Sequence, residues 1–451
     1  MRSRILKRVV CLALIAGVSP CFGEDWNRFR GPNGTGVTSD AAPVSWSNEA
    51  GLKWKTELPG FGVSSPIVVG DRVFVTCYSG YGIPAGSDGD GGDGGGMSDL
   101  KRHLVCANGE TGKTLWTKTI DAVLPEDPYS PPGVTSHGYA SHTPTSDGKL
   151  VFAFFGKSGV YAFDIEGNEV WKANVGTGSG PQQWGSAASP ILHKNLVVVT
   201  ATEESESIVA IDKTSGKTVW TAPAEGLQST WGTPVIAATA SGDELVVSVP
   251  GEVWGFNLET GKLRWFARGT TDSSASSSLA IDNGIVYAVG GRGGDAVAVK
   301  VGGKGDVNDS AVVWDAKIQG RFASPLAYKG HLYTVNGDVV SCFNAATGEQ
   351  IYQERLPATQ AAEAPQEPSD GRRGGGRFGG SQYSSPIIAD GKLYIPLKSG
   401  AVHVLEAAPE FKVLATNMIT GDSSGFDSTP AVSQGKLFLR SGKNLYCVTG
   451  S

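Results

Sequence analysis

The feature that most constrains this chain is a repeat: Ser or Thr followed by Pro, then short β-branched runs, a Thr-Gly-type turn and an aromatic residue. The prolines fall at Pro66, Pro144, Pro190, Pro234, Pro325, Pro386 and Pro430, and Leu279 in Ser277-Ser278-Leu279 stands where an eighth belongs. Successive starts are 78, 46, 44, 45, 46, 61 and 44 residues apart. A unit of about 45 residues is the length of a four-stranded propeller blade, and the two long intervals read as insertions. The spacing therefore predicts an all-β, eight-bladed β-propeller.

Within a unit the strands are legible, as in residues 196–201, 207–212 and 218–220, where β-branched residues alternate with polar turns. The turn Thr214-Ser215-Gly216-Lys217 needs a residue that tolerates positive φ, which glycine supplies. The aromatic after it, Trp116, Trp171, Trp220, Trp265, Trp314 or Tyr352 in successive copies, is large enough to fill the wedge between neighbouring blades. We read these residues as structural. The last unit stops after its third run, which leaves a sheet edge unpaired. Residues 51–57, with Trp54, have the pattern of the missing outer strand, so the N-terminal strand is expected to complete the eighth blade and close the ring.

The chain opens with Arg2, Arg4, Lys7 and Arg8, then an apolar run from Val9 to Val18, then mostly small or turn-forming residues to Gly23. This is the pattern of a secretory signal peptide, and its core is too short to span a bilayer. The organisation expected is a signal peptide at 1–23, an extended segment at 24–50 and the propeller at 51–451, with insertions near 79–102, 121–139 and 357–382. A periplasmic or secreted monomer with no transmembrane span follows. Cys21 offers a lipid-anchor alternative, to which Pro20 is poorly suited. Losing the leader removes four cations and no acids, which takes the formal charge from −6 to −10 and argues against nucleic acid as a partner.

Residues 210–220, Ala-Ile-Asp-Lys-Thr-Ser-Gly-Lys-Thr-Val-Trp, resemble the A-x-D-x-x-T-G-K-x-x-W tryptophan-docking repeat of pyrroloquinoline-quinone (PQQ) propellers. Segments 108–116, 257–265 and 344–352 match with Asn for Asp. The family includes quinoprotein dehydrogenases and the outer-membrane assembly factor BamB. The resemblance covers nearly all of the mature chain. Aligning the copies puts Cys106, Cys342 and Cys447 in a slot filled elsewhere by Ala162, Ala210, Gly255 and Ala298, so packing is their expected role. Cys77 is the one cysteine left that could pair with Cys106 across a hairpin.

For the dehydrogenases the resemblance implies a quinone and calcium in the funnel, held by carboxylates and an Asn, with an Asp base and a disulfide between adjacent cysteines. No adjacent cysteines occur here, and no residue can be assigned as calcium ligand or base. Asp88, Asp90 and Asp93 lie in a Gly-rich stretch that matches no calcium loop. We therefore expect no cofactor, no metal and no catalysis, and a non-catalytic scaffold for an envelope protein or peptide. The alternative is a PQQ-dependent or degenerate oxidoreductase acting on alcohols or sugars.

The three insertions fall on one face, and residues just before each inner strand reach the channel mouth there: Phe61, His137, Tyr139, His142, Trp184, Trp231, Arg321, Phe322, Tyr383, Phe426 and Asp427. Aromatic residues and Arg dominate binding hot spots, so these residues are the candidate partner-binding face. The competing reading is a channel plug. A basic, Gly-rich stretch at Arg372, Arg373 and Arg377 offers a contact for an acidic surface.

Overall fold

A computed structural model of the chain describes residues 24–84, 95–131, 133–291, 293–359 and 383–450. The leader with Cys21, the acidic stretch at Asp88, Asp90 and Asp93, and the basic stretch at Arg372, Arg373 and Arg377 lie outside the described residues.

Each Ser/Thr-Pro start opens the innermost strand of a four-stranded antiparallel meander, and there are eight such sheets. Blade three shows the plan: Ile191–His193, Leu196–Ala201, Ser207–Asp212 and Thr218–Pro223 follow one another outward from the channel. The other inner strands are Ile67–Val69, Thr145–Ser146, Val235–Ala237, Ala280–Asp282, Leu326–Tyr328, Ile387–Ala389 and Ala431–Ser433. Second and third strands are covered on both faces by neighbouring blades, so they read as near-continuous apolar runs such as Val73-Phe74-Val75. Outermost strands face solvent on one side, and Thr218–Pro223 accordingly alternates between exposed and buried positions.

The ring closes as the sequence predicts. Leu52–Glu57 pairs antiparallel with Asn444–Val448, which puts Trp54 opposite Cys447. A second closure runs around the channel wall. The backbone N–H of Ser65 donates to Thr143 Oγ1, Thr143 to Ser189, Ser189 to Thr233, Thr233 to Ser278, Ser278 to Ser324, Ser324 to Ser385, Ser385 to Thr429, and Thr429 back to Ser65, all at 2.9 to 3.1 Å. The repeat's Ser or Thr is thus a link between blades. Seven of the eight precede a proline, which biases the residue before it toward extended backbone.

The small-residue slot has a direct cause. Cys106, Ala162, Ala210, Gly255, Ala298, Cys342 and Cys447 each stand directly across from the aromatic of the outer strand. Blade seven inverts the pair, with Val404 facing Ala415. Five indoles donate Nε1–H to a backbone carbonyl of the next blade: Trp54 to Gly109, Trp116 to Ile165, Trp171 to Lys213, Trp220 to Leu258 and Trp314 to Ala345, at 2.9 to 3.2 Å. The turn glycine under each ring is constrained twice. At Gly216 φ is 71°, and an added Cβ would lie 2.7 Å from the Trp171 ring.

Trp265 departs from this pattern. Its indole donates to Glu244 Oε2 at 2.8 Å, and the same buried carboxylate takes Gly302 N–H and the Arg264 guanidinium. The excursion that follows adds Gly305–Asp306 in parallel to the outer strand Leu263–Arg268.

The cysteine pairing considered above does not form. Cys77 lies opposite His103 and Cys106 opposite Phe74, a three-residue offset that sends the two thiols to opposite faces of blade one. All four described cysteines are free and buried, and burial pushes the Cys77 thiol up to about 12.

Segment 24–50 has a role that its sequence does not announce. Its first part straps the end of the channel opposite the mouth. Trp26 O accepts Val68 N–H in blade one, and Asn27 exchanges two hydrogen bonds with Ser146 in blade two. Arg30 donates to the carbonyls of Leu279 and Pro325 in blades five and six, and Val37–Thr38 runs parallel to Ile387–Ala389 in blade seven. Trp26 and Arg30 are fully buried. The channel is therefore a funnel with one open end.

Candidate functional site

The funnel is built in two layers. Its floor is the ring of eight hydroxyl residues, with Phe29 of the strap entering from below. Side chains alternate along an extended strand, so residues two positions upstream also face the axis. They are Val63, Ser141, Ala187, Trp231, Ser276, Phe322, Tyr383 and Asp427, and all of them line one cavity of about 170 Å³. The eight floor positions are chemically uniform. The eight above them are all different in setting and mostly in kind.

Two stacked aromatic pairs dominate the mouth. Trp184 and Trp231 lie with centroids 5.4 Å apart and planes at 26°, and Phe322 and Tyr383 at 4.6 Å and 29°. The Arg321 guanidinium covers Phe322 at 4.7 Å. Trp231 Nε1 donates to Gly185 O at 2.7 Å, and His137 Nε2 donates to Trp184 O at 2.9 Å. That tautomer leaves His137 Nδ1 to accept from Ser141 Oγ at 2.7 Å. Burial lowers the His137 pKa, which favours the neutral ring that this arrangement requires.

Asp427 is the one acidic side chain lining the cavity among the described residues. Its side chain is 8% exposed, with Lys398 Nζ 3.4 Å from Oδ2, while Oδ1 is buried without a hydrogen-bond partner among the described residues. Burial raises its pKa against the opposing pull of Lys398.

Of the eleven residues grouped from the sequence, the structure brings seven to this cavity: His137, Trp184, Trp231, Arg321, Phe322, Tyr383 and Asp427. The other four lie elsewhere. Phe61 bridges to Tyr78, with its ring 6.1 Å from that tyrosine's. Tyr139 packs against Tyr78, Tyr81 and Tyr129 under the insertion. His142 is buried against Phe154 with Nε2 on Ser186, and burial drops its pKa to about 3. Phe426 packs on Tyr446 in the core between blades. His142 and Phe426 stand one and three residues before their ring hydroxyls, odd offsets that turn a side chain away from the axis.

Sequence reading missed what holds the mouth in place. The insertion after blade one is clamped by two buried ion pairs, Arg102–Glu126 at 2.7 Å and Lys157–Asp127 at 3.1 Å. Behind the tryptophan pair, the one-turn helix Thr202–Ser205 carries Glu203 and Glu204. Glu203 Oε1 accepts the N–H of Ser229, two residues before Trp231, at 2.9 Å. Glu204 Oε1 accepts the hydroxyl of Ser186, two residues after Trp184. Burial pushes both carboxyls up to about 7. No sequence signal marks them, because an acidic pair at a strand connection ordinarily reads as solvated.

A quinone with calcium would need several oxygen ligands converging on the metal. Beyond Asp427 the polar side chains of the lining are hydroxyls, His137 and Arg321, and no group of three or more His, Cys, Asp or Glu side chains is placed to hold a metal ion among the described residues. The residues present do not fit that pair of groups.

Comparison with known proteins agrees with the fold. No curated protein sequence matches the chain significantly. Among 1033 matching chains of solved structures is BamB from Moraxella catarrhalis, with a TM-score of 0.56 and 12% identity over 88% of this chain and 96% of that one. A europium-containing methanol dehydrogenase matches with a TM-score of 0.64 and 11% identity over 94% of this chain and 98% of that one. At such identities these likenesses show the propeller alone. The sequence profile of the outer membrane protein assembly factor BamB matches residues 100–354, more than half of the 451 residues, and the chain belongs to that family of PQQ-like repeat propellers.

Proposed function

We propose that this protein is an exported, non-catalytic binding scaffold of the cell envelope, whose recognition site is the funnel mouth and whose partner is a protein or peptide. The observation that carries this reading is the pair of aromatic stacks, Trp184–Trp231 and Phe322–Tyr383, opening onto one cavity on a rigid closed ring. Aromatic anchors in a preformed concavity are what binding hot spots are made of. The lining also supports a scaffold over an enzyme. A base must sit close to the reacting atoms, and among the described residues Asp427 has neither a metal-ligand set nor a second carboxylate beside it.

The competing reading is a PQQ-dependent oxidoreductase acting on alcohols or sugars, and it is tested directly. The purified chain is incubated with pyrroloquinoline quinone and calcium, and both stoichiometric binding and dye-linked oxidation are measured. The scaffold reading expects no turnover. Sustained, quinone-dependent oxidation overturns it.

A further inference from the structure

The chamber beneath the mouth has a chemistry that the aromatic stacks alone do not explain. Each of its eight floor hydroxyls accepts one backbone N–H, and no hydrogen bond donated by any of them to protein is found among the described residues. A hydroxyl has one donor and two acceptor sites, so each still offers the cavity an O–H and a lone pair. All eight are at most 8% exposed, which makes unanswered hydrogen-bonding capacity there costly. On one side Asp427 presents its Oδ1, which has no hydrogen-bond partner among the described residues.

Different ligand chemistries answer this lining unequally. An apolar group would leave the hydroxyl ring and Asp427 unanswered. An anion would face the Asp427 carboxylate, while the guanidinium of the lining, Arg321, lies over the Phe322 ring. A simple cation would satisfy Asp427 but leave most of the hydroxyls unused. A neutral polyhydroxylated ring meets the whole surface, because its C–H face lies on aromatic planes while its edge carries paired donors and acceptors. The cavity of about 170 Å³ has the scale of one such ring.

We propose that the funnel takes one sugar ring of a neutral saccharide, placed against Trp231 and Tyr383 and hydrogen-bonded by Asp427 Oδ1 and the floor hydroxyls. The proposal rests on the funnel's being a recognition site and goes beyond it by naming the chemistry that enters. It does not depend on the identity of the protein partner.

The test titrates the purified full chain with glucose, galactose and N-acetylglucosamine, following tryptophan emission and melting temperature. At least one sugar should give a saturable emission change and raise the melting temperature. Asp427→Asn should weaken that response at least tenfold while leaving the unliganded melting temperature within a few degrees of the parent. Trp231→Ala should abolish the emission change, and if that variant does not fold, Asp427→Asn carries the decision. No saturable response to any of the three sugars overturns the proposal, as does a response that Asp427→Asn leaves unchanged. If the sugars fail but alanine at Trp184, Trp231 and Tyr383 still abolishes partner capture, the saccharide inference falls and the recognition reading stands.

Discussion

The floor and the mouth of the funnel are built from the same eight segments leading into the inner strands, two residues apart, yet their chemistry differs. The floor repeats one solution eight times, a Ser or Thr hydroxyl receiving the neighbouring blade's N–H. The mouth varies: Val63, Ala187, Trp231 and Asp427 occupy equivalent positions, and only serine, at Ser141 and Ser276, occurs twice. Uniformity at the floor is what ring closure requires, since each link must fit the same interblade geometry. Freed from that duty, the mouth can vary blade by blade. Changes at the closing elements should therefore cost stability, and changes at the mouth should cost binding.

The largest effect should come from opening the ring. Truncation before Leu58 removes both the strap and the strand that pairs with Asn444–Val448, including buried Trp54. Loss of more than about 5 kcal/mol is expected from so many buried contacts, enough to abolish a cooperative melt. A truncated chain with an unchanged melting temperature would break the closure account.

The mouth's supports should respond to pH in a way the floor cannot. Glu203 and Glu204 hold protons in the folded protein up to about pH 7, whereas ordinary carboxyls lose them near 4.5. Their contribution to stability is therefore full below pH 4.5 and is lost as pH rises through 7, by up to about 3 kcal/mol for each group. Chemical denaturation from pH 4.5 to 8 should show this decline, and Glu203→Gln/Glu204→Gln should flatten it. An identical slope in the double variant would show that the pair does not titrate in this range.

A single floor link should matter least, because seven others remain. Ser189→Ala leaves Thr143 N–H without its acceptor and should cost about 1 to 2 kcal/mol. The measurement is the denaturant midpoint at constant slope, and an increase in stability would argue against the ring as a structural link.

How far the sequence discloses this molecule follows the same division. Eight blades are countable from eight Ser/Thr starts because each start has a geometric duty at the floor, and blade five keeps its link through Ser278 although Leu279 replaces the proline. The closing strand is legible because Trp54 repeats the aromatic of every other copy. The strap is not legible, because Trp26 to Thr38 has no period and its partners lie hundreds of residues away, as in the Arg30–Pro325 bond and the pairing of Val37 with Ile388. The mouth is partly legible: position before an inner strand finds Trp231, Tyr383 and Asp427, but without the two-residue offset it also gathers His142 and Phe426, which point between blades. Glu203 and Glu204 acquire their role through burial by loops from neighbouring segments, which no local pattern records.

The most direct test of the division between floor and mouth is the variant with alanine at Trp184, Trp231 and Tyr383, compared with the parent for melting temperature and for retention of envelope proteins. We predict a cooperative melt within a few degrees of the parent and loss of specific capture. A variant that unfolds would show that these aromatics plug the channel as core, and one that folds and captures as before would place recognition elsewhere on the ring.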